Sequence, residues 1–271
     1  MTYSTFLLTI ACGLLAATQV QGAASDWQDI AGGRVRIIVA EPEPGQPDVS
    51  GMLQIDLAPG WKTYWRDPGD AGVPLQLNLD ASVNGKLADL AYPAPMRFDD
   101  GVSVWAGYDA PVAIGLKLER PDTSKPLALS GQAFFGVCDK ICVPVQFNFS
   151  LDVQDAPKTT LHRELVAMML AGLPSDPSMG FKVEKAEIAD RIVTIEASLP
   201  DAALAPELFI AAPSGLQFAA PVPIRFSEGK AVFMAELIYI KDGLEPSGQT
   251  THYTLVQGRK SVSGTFDILQ H

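Results

Sequence analysis

The chain has 271 residues, a formal net charge of −11 and an apolar fraction of 47%. That acidic balance argues against nucleic acid as a partner, because phosphate binding runs on Lys and Arg, and it disfavours anionic membrane surfaces. Length and apolar content allow one large domain or two of ordinary size, and the 21 Pro and 23 Gly suit a turn-rich β protein.

Residues Phe6 to Ala17 are almost wholly apolar, and the small residues Gly22, Ala23 and Ala24 follow. This reads as a signal peptide over residues 1–24, cleaved after Gly22 or Ala24, with an apolar core too short for a membrane span. Cys12 lies inside that core, so Cys138 and Cys142 are the cysteines of the exported chain. No later apolar run approaches membrane length. The expectation is a soluble protein in an oxidising space, without a transmembrane segment in the mature chain.

The pattern beyond the signal is mainly β. Gly33–Ala40 and Gly51–Leu57 read as strands, Leu75, Leu77 and Leu79 alternate, and so do Ile114, Leu116 and Leu118. After the cysteines, Val145, Phe147, Phe149, Leu151 and Val153 share one face, with Gln146, Asn148, Ser150 and Asp152 on the other. This is the period of a half-buried antiparallel strand. Segments rich in Pro, Gly and Asp separate the runs: 41–46, 67–74, 92–101 and 121–126. Thr159 or Thr160 caps a short helix through Leu170, with Leu161, Leu165, Met168 and Met169 near helical spacing. Strands resume at 181–188, 191–198, 208–212, 224–226, 231–240, 252–257 and 261–269. The fold class expected is all-β: two immunoglobulin-like β-sandwich domains, 25–155 and 179–271, joined by a short helical linker over 156–178.

The chemistry points to Cys138-Asp139-Lys140-Ile141-Cys142. A thiolate attacks a disulfide in line through a mixed disulfide, and a second thiol close by resolves it. Two cysteines with three residues between them meet that need. Lys140 would favour a thiolate and Asp139 oppose one, while Val137, Ile141 and Val143 would desolvate the pair and raise its pKa values. A static structural disulfide is the main rival, although so short a loop constrains the unfolded chain little. A metal site would lack ligands, because His162, His252 and His271 are remote in sequence. No His stands in a context that would make a Cys-His hydrolase.

The surroundings of the pair carry more. The segments Gly60-Trp61-Lys62-Thr63-Tyr64-Trp65-Arg66, Tyr92-Pro93-Ala94-Pro95 and Trp105-Ala106-Gly107-Tyr108 precede Phe135-Gly136-Val137-Cys138 and Ile141-Cys142-Val143-Pro144. In this order they resemble the periplasmic N-terminal domain of the thiol-disulfide interchange protein DsbD, and more closely the N-terminal region of the related ScsB proteins. The resemblance covers about Val35 to Val153. It implies an immunoglobulin-like redox domain in the periplasm that needs no cofactor and holds no metal. In it Cys142 is the sulfur attacked or attacking first and Cys138 resolves. It also implies an aromatic cap, with Trp105 and Tyr108 in the cap's place and Tyr64 and Trp65 flanking the pair. The implied partners are a thioredoxin-like domain or membrane-embedded thiol reductase on one side and oxidised periplasmic client proteins on the other. Members with DsbD architecture have a longer gap between the cysteines. A non-catalytic envelope binding module with a structural disulfide, or a copper-stress protein, are the alternative readings. The residues of 179–271 assign no chemistry to the second half.

Overall fold

The structure, a computed structural model, describes residues 22–69, 71–99 and 101–270. The expected signal peptide lies outside the described residues as far as Gln21, and so does Cys12. Gly22–Ala24 is already part of a sheet: it pairs with the Gly33–Ala40 strand and with Lys158–Thr159, and Ala23 is fully buried. A cut after Ala24 would remove both pairings.

The chain is nearly all β, as expected, and builds two sandwiches around two cores. In the first, one sheet runs in the order Lys158–Thr159, Gly22–Ala24, Gly33–Ala40, Asp48–Leu57, Val112–Glu119, Lys86–Ala91, with Gln28–Ile30 beside Gly33–Ala40. The facing sheet runs Cys142–Asp152, Ala128–Cys138, Lys62–Gly69, Val104–Tyr108, Met96–Asp99, with Gln76–Asn78 beside Ala128–Cys138. Their inner faces meet through Val35, Ile37, Leu53, Trp65, Phe135 and Phe147. The alternation after the cysteines holds: Val145, Phe147, Phe149 and Leu151 are buried, and Gln146, Asn148 and Ser150 are exposed. The second sandwich sets a sheet centred on Ile192–Ser198 and Lys230–Ile240 against Pro206–Ala211, Thr250–Gln257 and Lys260–Asp267. Ile195, Phe233, Tyr253 and Leu255 fill its core.

The helix Thr160–Ala171 begins at Thr159, whose hydroxyl accepts from the His162 N–H at 3.2 Å. It ends at Gly172, whose N–H donates to the carbonyls of Met168 and Met169. Its buried stripe is Val166 and Met169, whereas Leu161 and Met168 face solvent. That stripe rests on Ile38 and Met52, which are opposite one another on the outer face of the first sheet. The helix therefore covers the first sandwich and does more than span a gap. This is why the second half of the strand, Ile37, Ile38, Val39 and Ala40, reads as a continuous apolar run: both of its faces are covered there, whereas Arg34 and Arg36 lie beyond the helix.

The two halves also share a core. Phe209 and Ala211, from the second sandwich, are buried in the first one's cluster. Phe209 meets Trp65 edge-on at 6.0 Å, and the Arg97 guanidinium lies 4.7 Å over its ring while donating to the Leu208 carbonyl at 2.7 Å. Gln217 donates to the Gly69 carbonyl at 3.3 Å. Replacing Phe209 with Ala should therefore destabilise the first sandwich, by about 3–5 kcal/mol, although the residue lies in the second. Urea unfolding followed by cysteine accessibility reports on that half and checks it.

Asp67, at this junction, accepts from the Gly69 N–H at 3.1 Å. Burial pushes its carboxyl pKa up, against the backbone N–H groups of Gly69 and Ala212, which pull it down. The folded state thus keeps a proton that the unfolded chain, with a carboxyl near 3.9, has released. The stability contributed is complete below about pH 4 and is lost as pH rises through the elevated value. Asp67→Asn keeps an accepting oxygen and no charge. Its urea midpoint should vary less than the parent's across that window and be higher at neutral pH.

Candidate redox site

The cysteines close the longest hairpin of the first sandwich. Ala128–Cys138 and Cys142–Asp152 are each 11 residues long and pair from Ala128 opposite Asp152 to Cys138 opposite Cys142. Only Asp139, Lys140 and Ile141 turn between them. Directly opposed residues in an antiparallel pair have Cα atoms about 4.5–5.5 Å apart, within the span a disulfide needs. The two sulfurs, free in this structure, lie 2.7 Å apart. Cys142 is exposed and Cys138 half-buried.

On the other side of Ala128–Cys138 lies Lys62–Gly69, with Thr63 opposite Val137 and Lys62 opposite Cys138. The Thr63 hydroxyl donates to the Gly136 carbonyl at 2.8 Å and locks this register. Val137 is buried in the core, so its neighbours Gly136 and Cys138 face outward, as do Lys62 and Tyr64. The Tyr64 ring crosses the face from there, and its hydroxyl reaches Cys142 Sγ at 2.9 Å.

Two glycines make room for that ring. A Cβ on Gly136 would lie 2.9 Å from Tyr64 Cε2, and one on Gly72 would lie 2.5 Å from Tyr64 Cδ1. Gly72 has φ +129, and the neighbouring Val73 carbonyl accepts from the Gly136 N–H at 2.9 Å. The segment at Gly72 and Val73 thus lies over Tyr64 and leaves its hydroxyl end at the sulfurs. Trp105 packs edge-on against Tyr64 at 5.3 Å and stacks on its cross-strand partner Phe98 at 4.2 Å.

The structure thus brings Cys138, Cys142, Tyr64 and Trp105 to one outer face. Trp65 and Tyr108 point the other way. Both are in the inner core, Trp65 against Phe209 and Tyr108 with its hydroxyl donating to the Pro93 carbonyl at 2.9 Å. The reason is strand parity, since Trp65 follows Tyr64 and Tyr108 follows Gly107. Lys62 received no role from its sequence context, yet it is the residue opposite Cys138. Spacing within its own strand holds no signal for this; only the pairing does. A cavity of about 560 Å3 lies elsewhere, between Arg66, Tyr92, Lys117 and Asp176, and includes neither cysteine.

The electrostatics act on Cys138 and Tyr64. Burial pushes the Cys138 thiol above its ordinary value, and its hydrogen bond with Cys142 adds to this; Tyr64 and Lys62 pull it down. Burial raises the Tyr64 phenol far above its usual value, and the hydrogen bonds with Cys142 and Cys138 raise it further. Tyr64 therefore stays protonated and can donate to a thiolate. The arrangement is a dithiol able to close on itself, with one sulfur open to an incoming group and a phenol positioned to bear part of its charge.

The segment that carries this site matches a known family. Residues 37–154 match the family model of the thiol:disulfide interchange protein DsbD, N-terminal. The DsbD-like segment holds both cysteines, Tyr64 and Trp105. The whole fold is similar to the crystal structure of the N-terminal periplasmic domain of ScsB from Proteus mirabilis, with a TM-score of 0.75 and 21% identity, over 92% of this chain and 100% of that one. Comparison with curated proteins finds no match. The second sandwich lies beyond the DsbD-like segment but within the span shared with the ScsB structure.

The glycine cradle has a measurable consequence. Gly72→Ala should cost about 1–3 kcal/mol from backbone strain and displace Tyr64. Gly60→Ala, also at positive φ (+87) but with nothing within 4 Å of the added Cβ, should carry strain alone. Thermal melts should show both losses, whereas Cys142 alkylation by iodoacetamide should change only in Gly72→Ala.

Proposed function

We propose that this protein is a periplasmic thiol-disulfide exchange protein whose working pair is Cys142 and Cys138. The observation that carries the reading is the asymmetric pair itself: two opposed cysteines at a hairpin end, with the exposed one in hydrogen-bond reach of a buried phenol. A structural staple is poorly motivated there, because the hairpin is already paired along its full length. The match of residues 37–154 supports thiol-disulfide interchange, and the likeness to a periplasmic domain supports the compartment. No helix among the described residues is long and apolar enough to cross a membrane.

The steps balance as a two-electron exchange. A thiolate of a reduced thioredoxin-like domain, or of a membrane-embedded thiol reductase, attacks Cys142 Sγ of the oxidised pair. The Cys138–Cys142 bond breaks and Cys138 leaves with the electron pair. The partner's second thiol then displaces Cys142, and the partner departs oxidised. Toward an oxidised client the order reverses. Cys142 thiolate attacks the client disulfide, and Cys138 attacks Cys142 Sγ to release the client as a dithiol. Tyr64, backed by Trp105, covers the Cys138 side of the pair and leaves Cys142 open to a docked partner. We assign this role to the unit 25–155. The unit 179–271 buttresses it through Phe209, and the segment 156–178 clamps its first sheet.

Trapping tests the order of attack. With its lone cysteine first activated as a mixed disulfide with 2-nitro-5-thiobenzoate, Cys138→Ser should be captured through Cys142 by the reduced thiolate of a C-x-x-C protein whose resolving cysteine is removed, releasing the nitrothiobenzoate, and Cys142→Ser treated the same way should not. Equal trapping by both variants would refute the assignment. The reduction potential of the pair should lie above about −300 mV, the range below which disulfides are structural; a lower value would favour the staple and sink the exchange reading.

A further inference from the structure

The outer face of the site holds a cation whose position is set by strand pairing. Cys142, Cys138 and Lys62 are successive cross-strand partners in a single row. Side chains opposed in this way leave the same face of the sheet and stand beside one another. Lys62 is thus next to Cys138 and one strand further from Cys142. Its ammonium lies 5.4 Å from the Phe98 ring centroid and 5.7 Å from that of Trp105. The two rings are stacked on each other and form a fixed platform, and a cation is drawn to such faces. A lysine free to follow solvent is instead tethered on the side where the sulfurs are.

We propose that Lys62 stabilises the negative charge on Cys138 when that sulfur leaves the disulfide. The proposal rests on the exchange reading of the pair. When the partner's thiolate bonds to Cys142 Sγ, the electron pair of the broken bond stays on Cys138 Sγ. The Lys62 ammonium offsets that charge until a proton arrives from solvent or from the partner's second thiol. In the client direction, the same ammonium sustains the Cys138 thiolate that resolves the mixed disulfide. The Tyr64 hydroxyl reaches Cys142 and also acts on Cys138, and Lys62 stands beside Cys138 and adds a full positive charge there.

Other groups around Cys138 do not replace it. Asp139 and Lys140 sit in the exposed hairpin turn with opposite charges. Burial works against the charge, and the Tyr64 hydrogen bond favours it without supplying a charge of its own. Lys62 adds a positive charge that lowers the Cys138 thiol beside the hydrogen bond from Tyr64.

The test measures Cys138 alone and then the pair. In a Cys142→Ser background, the pH midpoint of Cys138 alkylation by iodoacetamide should rise by about half a unit to one unit in Lys62→Met. Lys62→Arg should restore it. With both cysteines present, Lys62→Met should slow reduction by dithiothreitol about two- to fivefold, since a leaving thiol of higher pKa leaves more slowly. Lys62→Gln serves if Lys62→Met does not fold. An unchanged midpoint, or equal shifts in Lys62→Met and Lys62→Arg, would overturn the proposal, and so would a shifted midpoint with an unchanged reduction rate. If the midpoint moves and the rate falls as expected but no C-x-x-C dithiol protein exchanges with the pair, the proposed function fails while the effect of Lys62 on Cys138 stands.

Discussion

The strand Lys62–Gly69 is buried on both faces, and the site depends on that. Its inward side chain Trp65 fills the first core and meets Phe209 of the second sandwich. Its outward side chain Tyr64 lies beneath the segment at Gly72 and Val73 and ends at Cys142. A slip of one residue would send Tyr64 into the core and Trp65 to the sulfurs. The Thr63–Gly136 hydrogen bond opposes that slip, as does the lack of a side chain on Gly107, opposite Tyr64, where a Cβ would meet the Thr63 carbonyl at 2.2 Å. One strand therefore couples the packing of two sandwiches to the placement of a phenol beside a thiol.

Much of this was legible in the sequence wherever one face of a strand meets water. The alternation from Val145 to Val153 marks the strand after the pair, and the spacing of Cys138 and Cys142 marks two thiols close enough to exchange. The strands Lys62–Gly69, Met96–Asp99 and Val104–Tyr108 gave no such alternation. Their outer faces carry Tyr64, Phe98 and Trp105, which pack on one another, so aromatic and polar residues follow without a period. The same lack of period let a family motif carry Trp65 and Tyr108 to the site, when parity sends both inward. Phe209 looked like a residue of the second half alone, because nothing local in Leu208–Ala212 says which core it enters.

The chemistry of the pair is a compromise between shielding and reactivity. In the exchange proposed, half-burial of Cys138 would keep small thiols from that sulfur and direct attack to Cys142, yet it raises the thiol pKa and so makes Cys138 a slower leaving group. Moving Cys138 into solvent would cure the second problem and lose the first. Donors fixed on a neighbouring strand are a different solution, because they act on the charge without admitting water. Tyr64 is suited to Cys142 because its phenol remains protonated, so it gives a hydrogen bond without adding charge beside an exposed sulfur. Cys138 is less accessible, and there a full charge held on an aromatic platform has more effect, since screening by water is weaker. The stacked Phe98 and Trp105 then serve two ends at once: they back the ring of Tyr64 and fix the ammonium of Lys62. An aromatic platform beside a thiol pair can thus also place the charge that acts on it.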